Sequence, residues 1–301
     1  MAIKDFKELL GRASSTRGPK RLVVASAQEE HTLEAVLRAR DEGYVEPILI
    51  GDKPEILRLL GQLGASVPDE KIIHEPAFTA SAILAVKYVK DGKADFIMKG
   101  ILETSDIMRA ILKKDSGLST GRTMSMLTIA QIPKYHKLLF MSDAAIVNNP
   151  TLEQKRDIIT NAVEVLHSLG YENPYVGIMA AVEHVNPKMP ETMDAQALVE
   201  MWKAGTFGRC VVEGPISMDV ALNKQKADTK QYNGIIPGEV DLLIWPNVVT
   251  GNLVGKALAE FAGSKVITEV VGAKIPLVIT SRGTSAENKY MTILASAAGL
   301  V

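Results

Sequence analysis

Strand-sized apolar runs alternate with amphipathic segments from one end of the chain to the other. "RLVVAS" is followed by "EEHTLEAVLRARDEG", where Leu33, Val36, Leu37 and Arg40 fall at helical spacing, and "PILIG" precedes "KPEILRLLGQLG". Further strands read as "DFIMKG", "KLLFMSD", "YVGIMAA", "RCVVEGP", "DLLIWPN" and "IPLVITS". Near-continuous apolar strands interleaved with helices require a mainly parallel sheet covered on both faces. So many strands in 301 residues favour two α/β/α domains facing each other across a cleft over a single sheet. In such folds ligands bind beyond the carboxyl ends of the strands. "NNPTLEQKRDIITNAVEVLHSLG" opens with Thr151 and Gln154 in capping-box register and closes on Gly170, and a domain crossover is expected near this junction.

Charge and cysteine usage exclude several classes. A formal net charge of −1, with no dense Lys/Arg run interleaved with aromatics, gives no electrostatic footprint for nucleic acid. No apolar stretch is long enough for a membrane span, and "MAIKDFKELLGRASS" alternates charge with apolar residues, so a cytoplasmic protein is expected. The single cysteine, Cys210, rules out an intrachain disulfide and a cysteine metal cluster, and its apolar setting "RCVVEG" reads as a buried, inert thiol. The five histidines show no ligand spacing, and no metal site is expected.

Three common motifs fail. "GNLVGKAL" lacks one residue of the phosphate-loop spacing, and Ala257 stands where Ser or Thr would hold magnesium. No G-x-G-x-x-G follows the first strand, which disfavours a nicotinamide enzyme. The G-x-S-x-G nucleophile elbow is absent as well.

Polar residues at strand ends remain. In "DLLIWPNVVTGNLVGKALAEF" a loop with Asn247, Thr250, Gly251 and Asn252 leads into a helix whose apolar face carries Leu253, Ala257, Leu258 and Phe261. Asn252 is a suitable N-cap, and Gly251 would allow a ligand close to the backbone, although capping alone explains the loop. In "ITSRGTSAENKY" a strand is expected to end at Thr280 and a helix to begin near Ser285. Between them Ser281, Gly283 and Thr284 offer hydroxyls and N–H groups to an anion, and Arg282 adds a planar, permanent cation suited to phosphate oxygens, the alternative being a structural arginine paired with a surface carboxylate. Lys99 in "IMKG" ends another strand, where it reads as a ligand contact or as a surface lysine. Glu213 and Asp219 flank the "EGPISMD" turn as alternative bases or as turn and cap residues.

Taken together, "RLVVASAQEEHTLEAV", "ADFIMKGILET", "SDAAIVNNPTLEQK", "EHVNPKMPETMDA", "VEGPISMDVAL", "GEVDLLIWPNVVTGNLVGKAL" and "VGAKIPLVITSRGTSAENKYMTI" resemble the phosphate acetyl/butyryltransferase family over essentially the whole chain. The stretch from Glu183 to Ala195 looks like the butyryl branch. The resemblance implies two α/β/α domains of the isocitrate/isopropylmalate dehydrogenase type. The first would hold residues 1–148 and recover 276–301, and the second would hold 149–275. It implies a homodimer or higher homo-oligomer and the reaction acyl-CoA + phosphate = acyl phosphate + CoA, with coenzyme A as substrate and no permanently bound cofactor. Phosphate binding maps onto Ser281 and Arg282, with Gly283 and Thr284 beside them. CoA contacts map onto the Thr250–Gly251–Asn252 loop, with Lys99 a further candidate.

The family's acetyl branch has an aspartate as proposed base where this chain has Asn288, with Glu287 adjacent. Thr284 to Glu287 read as a capping box, which would occupy Glu287. Loss of a base is tolerable: ionising a thiol of pKa about 8.5 at pH 7 costs roughly 2 kcal/mol, while positioning two substrates contributes about 7–11 kcal/mol. The expectation is direct attack of phosphate on the thioester in a ternary complex, with butyryl as the group moved. Phosphate acetyltransferase is the near alternative, and a nicotinamide-dependent hydroxyacid dehydrogenase of similar fold the distant one.

Overall fold

The computed structural model describes residues 2–13 and 18–299. The strands, in chain order, are β1 (Lys20–Ala25), β2 (Val45–Gly51), β3 (Ile72–His74), β4 (Phe96–Lys99), β5 (Ser125–Gln131), β6 (Leu139–Ser142), β7 (Tyr175–Met179), β8 (Val211–Ile216), β9 (Leu242–Ile244), β10 (Lys265–Val271) and β11 (Leu277–Val278). The helices are α1 (Phe6–Ala13), α2 (Glu30–Asp41), α3 (Lys53–Gln62), α4 (Phe78–Lys90), α5 (Thr104–Ile111), α6 (Leu152–Ser168), α7 (Pro190–Lys203), α8 (Met218–Leu222), α9 (Lys224–Thr229), α10 (Val248–Ala262) and α11 (Ala286–Ala297).

The chain forms two compact units. One contains Leu10–Gly121 and the segment from Ile267 onward, and its strands run β3-β2-β1-β4-β11-β10. Within it every pairing is parallel except β10 with β11. Its core joins Leu22, Val24, Leu33, Phe96, Met98 and Ile293, each worth about 1.5–3 kcal/mol when fully buried. The other unit contains Arg122–Val266 with the start of the chain to Leu9, and its strands run β5-β6-β9-β7-β8, parallel except for β5 with β6. Leu139, Met141, Met179, Ile216, Leu243 and Trp245 fill its core.

These crossovers, at 121/122 and 266/267, differ from the expected 148/149 and 275/276. The reason is strand pairing. Phe140 of β6 stands opposite Leu242 of β9, which draws residues 125–142 into the middle segment's sheet. Glu269 of β10 stands opposite Val278 of β11, which returns β10 to the C-terminal part.

Local signals behave as their chemistry dictates. Thr151 and Gln154 close the capping box at the start of α6. Leu169 caps its end, and Gly170 follows in the left-handed region at φ 86°, where a side chain would be strained. Among the described residues no helix is long and apolar enough to cross a membrane.

Candidate active site

The first constellation lies at the carboxyl edge of β1, β4 and β11. Parallel pairing sets Ala25 of β1 opposite Lys99 of β4, and Met98 opposite Val278 of β11. Beyond these positions the chain turns sharply. Ser26 adopts φ 56°, and a Cβ at Gly100 would lie 2.1 Å from the Ser26 carbonyl oxygen, so only glycine fits there. Lys99 is 2% exposed, which removes its reading as a surface lysine. Its Nζ donates to the carbonyl oxygens of Gly100 (3.2 Å) and Leu102 (3.0 Å) and bonds no carboxylate among the described residues. Burial, then the positive charges of Lys289 and Arg282, push its ammonium down to about 8.

A buried charge is expensive unless something compensates it. Lys99 retains donor capacity, since an ammonium carries three N–H groups. The buried hydroxyls of Ser26 and Thr280, just beyond β1 and β11, also bond to no other group among the described residues. Cations and unused donors at one strand edge make this region suited to an anion.

The Ser281–Asn288 segment supplies the exposed part. β11 ends at Val278, two residues before the expected Thr280. Ser281 accepts the Thr284 N–H through its carbonyl at 3.1 Å, forming the turn before α11. Arg282 is exposed and its guanidinium donates to Glu103 at 2.5 Å. A Cβ at Gly283 would meet nothing within 4 Å, so this turn faces open space.

The expected capping box at Thr284 and Glu287 does not form. Ser285 is the N-cap, and its Oγ accepts the Asn288 N–H. Glu287 instead takes Arg38 at 2.6 Å, because a carboxylate in the first turn of α11 faces α2 across the packed helix pair. Lys289, which the sequence reading passed over, is 1% exposed and donates to Glu29 (2.7 Å) and Thr32 (3.1 Å). Burial pulls the Glu29 carboxyl upward, but hydrogen bonds from Lys289, Thr32 and the α2 N-terminus hold it below its usual range. The available signal was spacing: Lys289 sits beside Tyr290 and four residues before Ile293, on the core face of α11.

Thr250, Gly251 and Asn252 belong to the other unit. They are not a loop but the first turns of α10, and the N-cap is Asn247, whose Oδ1 accepts the Thr250 N–H at 3.0 Å. Asn252, expected as the cap, donates from its side chain to the Ala144 carbonyl at 3.3 Å. The glycine at 251 serves packing: a Cβ there would lie 2.6 Å from Trp245 and 2.7 Å from the Asp143 carbonyl. The apolar stripe of α10 is turned outward, with Val249, Leu253 and Phe261 exposed.

Glu213 accepts the Ile235 N–H at 2.5 Å and the Tyr232 hydroxyl at 3.3 Å. Asp219 accepts Ser217 Oγ at 2.7 Å and Lys230 at 3.1 Å. Both therefore have structural partners. Cys210 is 5% exposed and burial pushes its thiol up to about 11, as expected of an inert thiol. Among the described residues no group of three or more His, Cys, Asp or Glu could hold a metal ion.

A family model described as Phosphate acetyl/butaryl transferase matches residues 62–297. The chain belongs to this family. It is 40% identical to the phosphate butyryltransferase of Clostridium acetobutylicum over 98% of both chains. It is 39% identical to the phosphate acetyltransferase of Thermotoga maritima over 97% of this chain and 99% of that protein. A branched-chain phosphotransacylase from Enterococcus faecalis superimposes with a TM-score of 0.80 at 28% identity, covering 93% of this chain and 99% of the other. As a phosphate acetyl/butyryl transferase family member the chain is a phosphate acyltransferase, and the dehydrogenase reading is not favoured.

Proposed function

We propose that this phosphate acyltransferase moves a short acyl group, butyryl in preference to acetyl, between coenzyme A and inorganic phosphate. The observation that carries the site assignment is Lys99, a buried ammonium that bonds no carboxylate among the described residues and that feels the positive charges of Lys289 and Arg282. Phosphate is held by Arg282, the Ser281 hydroxyl and the N–H groups around Gly283 and Thr284, with Lys99 drawing its charge inward.

A phosphate oxygen attacks the thioester carbonyl carbon, the C–O bond forms, and the C–S bond breaks as the tetrahedral oxyanion collapses. CoA leaves as thiolate and takes a proton from solvent, with Asn288 orienting the sulfur. A direct transfer is favoured because the one cysteine is buried with its thiol pushed up to about 11, a poor acyl carrier at neutral pH. Glu287 is engaged by Arg38 and is assigned no chemical step. Thr250 and Asn252 serve the CoA side of the reaction from α10, with Gly251 keeping that helix close to Trp245.

A homo-oligomer and a cytoplasmic location belong to the same proposal. Val249, Leu253 and Phe261 repeat at intervals of four and eight residues along α10, a stripe of exposed apolar surface that a second copy would cover. No permanently bound cofactor is invoked.

The test is release of CoA thiol from acetyl-, butyryl- and branched acyl-CoAs with and without phosphate. Release that requires phosphate and is fastest with butyryl-CoA supports the proposal in full. Faster release from acetyl-CoA would move the protein to the acetyl side. A burst of CoA without phosphate would replace direct transfer by an acyl-enzyme.

A further inference from the structure

A second region of chemistry lies wholly within the unit of β5 to β9. Parallel pairing places Ile178 of β7 opposite Ile244 of β9, so the next residues, Met179 and Trp245, end side by side at the carboxyl edge. Around them the starts of α6, α7, α8 and α10 line an open cavity of about 490 Å³. That volume lies in the range of about 300–1,000 Å³ that small-molecule sites occupy.

The lining has two properties that together select a ligand. Its charges offer nothing to an anion: Lys155 is 5% exposed and held by Asp194 at 2.7 Å, while Glu191 also faces the cavity and makes no ion pair among the described residues. One cation against two carboxylates repels phosphate and carboxylate groups. Its apolar part is Met179, Met218, Trp245 and Val254, with Ala180 and Ala181 leaving room beside them. Unbranched thioether side chains adapt to alkyl chains of different shape. Asn149, Asn247 and Thr250 add a few groups able to bond amides.

Acyl-CoA has one end rich in phosphate and one uncharged arm made of amides, a thioester and the acyl chain. We propose that this cavity receives the uncharged thioester arm, and that Met179, Met218 and Trp245 set the length and branching of the acyl chain accepted. The inference rests on the acyl-CoA reading above and deepens it. It assigns specificity to residues at the ends of β7, β8 and β9 that carry no charge.

Trp245 is its own reporter. The protein has two tryptophans, and Trp202 donates its indole N–H to the Cys210 carbonyl at 2.6 Å and is not among the residues lining the cavity. The experiment follows Trp245 emission in the Trp202→Phe protein, with the wild type in parallel, during titration with S-butyryl-N-acetylcysteamine and with 3′,5′-ADP. The first carries the thioester arm without the nucleotide, and the second the phosphates without the arm. The expected result is a saturable change with the thioester only, weakened by Ala180→Leu, which fills the cavity. In turnover, Ala180→Leu should lower kcat/KM for butyryl-CoA relative to acetyl-CoA by on the order of 10-fold or more. Met218→Ala should shift preference toward longer chains.

Silence of Trp245 toward the thioester, or a response to 3′,5′-ADP or to butylamine instead, overturns the inference, as does an unchanged acyl preference in both variants. Phosphate-dependent turnover with a silent Trp245 removes the cavity assignment and leaves the reaction standing. A thioester response modulated by Ala180→Leu without turnover does the reverse.

Discussion

Lys99 and Lys137 are buried lysines, at 2% and 6% exposure, one in each unit, and their immediate surroundings treat them in opposite ways. Lys137 meets Asp241 at 2.6 Å, with both side chains 6% exposed, and its Nζ also donates to the Glu239 carbonyl. Lys155 and Lys289 follow the same pattern, each 2.7 Å from a carboxylate. Lys99 alone among these four finds only carbonyl oxygens. A fold that neutralises three buried ammonium groups has the means to neutralise a fourth. The difference teaches that burial alone does not decide a lysine's partner: Lys289 is paired within Lys99's own unit, so the uncancelled ammonium is particular to the end of β4, where the proposed phosphate would supply the counter-ion.

Replacing the paired lysine should give the largest effect. Lys137→Met strands Asp241 in the core and should cost about 3–5 kcal/mol of stability, the usual result of breaking a buried pair. Urea unfolding checks it, and a loss below about 1 kcal/mol would show that Asp241 simply takes up a proton. Arg282→Ala should leave stability nearly unchanged while kcat/KM for phosphate falls on the order of 10²–10³-fold, as for a lost oxyanion donor. Full activity of that variant would remove Arg282 from the site.

Lys99→Met should separate the two properties. Phosphate KM should rise at least about 10-fold, roughly the 1.4 kcal/mol of one charge-assisted hydrogen bond, while the protein becomes no less stable, because a desolvated charge has been removed. The pH dependence has a definite sign. The folded ammonium titrates near 8, below the ordinary lysine value of 10.5, so the stability cost of burying it is full below pH 8. That cost relaxes as pH rises from about 8 to 10.5, and anion attraction weakens over the same rise. The methionine variant should show neither trend.

Glu269 is the mirror case, a fully buried carboxyl in β10 that burial pushes up to about 8 and that, among the described residues, bonds only to Ser296 at 2.6 Å. Because its folded value lies above 4.5, its stability contribution is complete below pH 4.5 and declines as pH rises toward 8. Glu269→Gln, which keeps the neutral shape, should raise Tm at pH 8 and leave it unchanged near pH 4.5. Equal Tm shifts at both values would show that ionisation is not the cause.

The contrast between units was only partly legible in the sequence. Apolar strand runs and the Thr151–Gln154 box are local signals, and both appeared where expected. Arg282 was legible as a cation in a Ser-Arg-Gly turn, but its pairing with Glu103, 179 residues away in sequence, was not. Lys99 was visible as a strand-end lysine, but its isolation from carboxylates depends on what the folded chain places around it. Lys289 was hidden for the same reason: its partner Glu29 is 260 residues away in sequence. Gly251 misled because a glycine that admits a ligand and one that admits an indole look alike until Trp245 is seen against it. The crossovers at 121/122 and 266/267 depended on strand pairing, which apolar runs do not encode.

The smallest effect probes Glu103, the carboxylate bound to Arg282 at the proposed anion site. Arg282 is bound to Glu103 at 2.5 Å, with the two side chains 59% and 58% exposed, so the pair is worth about 0.2–1 kcal/mol and is screened by salt. On the proposed assignment, phosphate would have to displace Glu103 from Arg282 or share the guanidinium with it. Glu103→Gln removes the competitor's charge and should lower phosphate KM by about 2- to 5-fold at low salt, the kinetic equivalent of that energy, with the gain shrinking at high salt. The same change withdraws a charge that supports the Lys99 ammonium, so the alkaline weakening of phosphate binding should begin at lower pH in the variant. A higher KM at all salt concentrations would reverse the reading: Glu103 would then hold Arg282 in position for phosphate, and the two residues would act as one anion clamp.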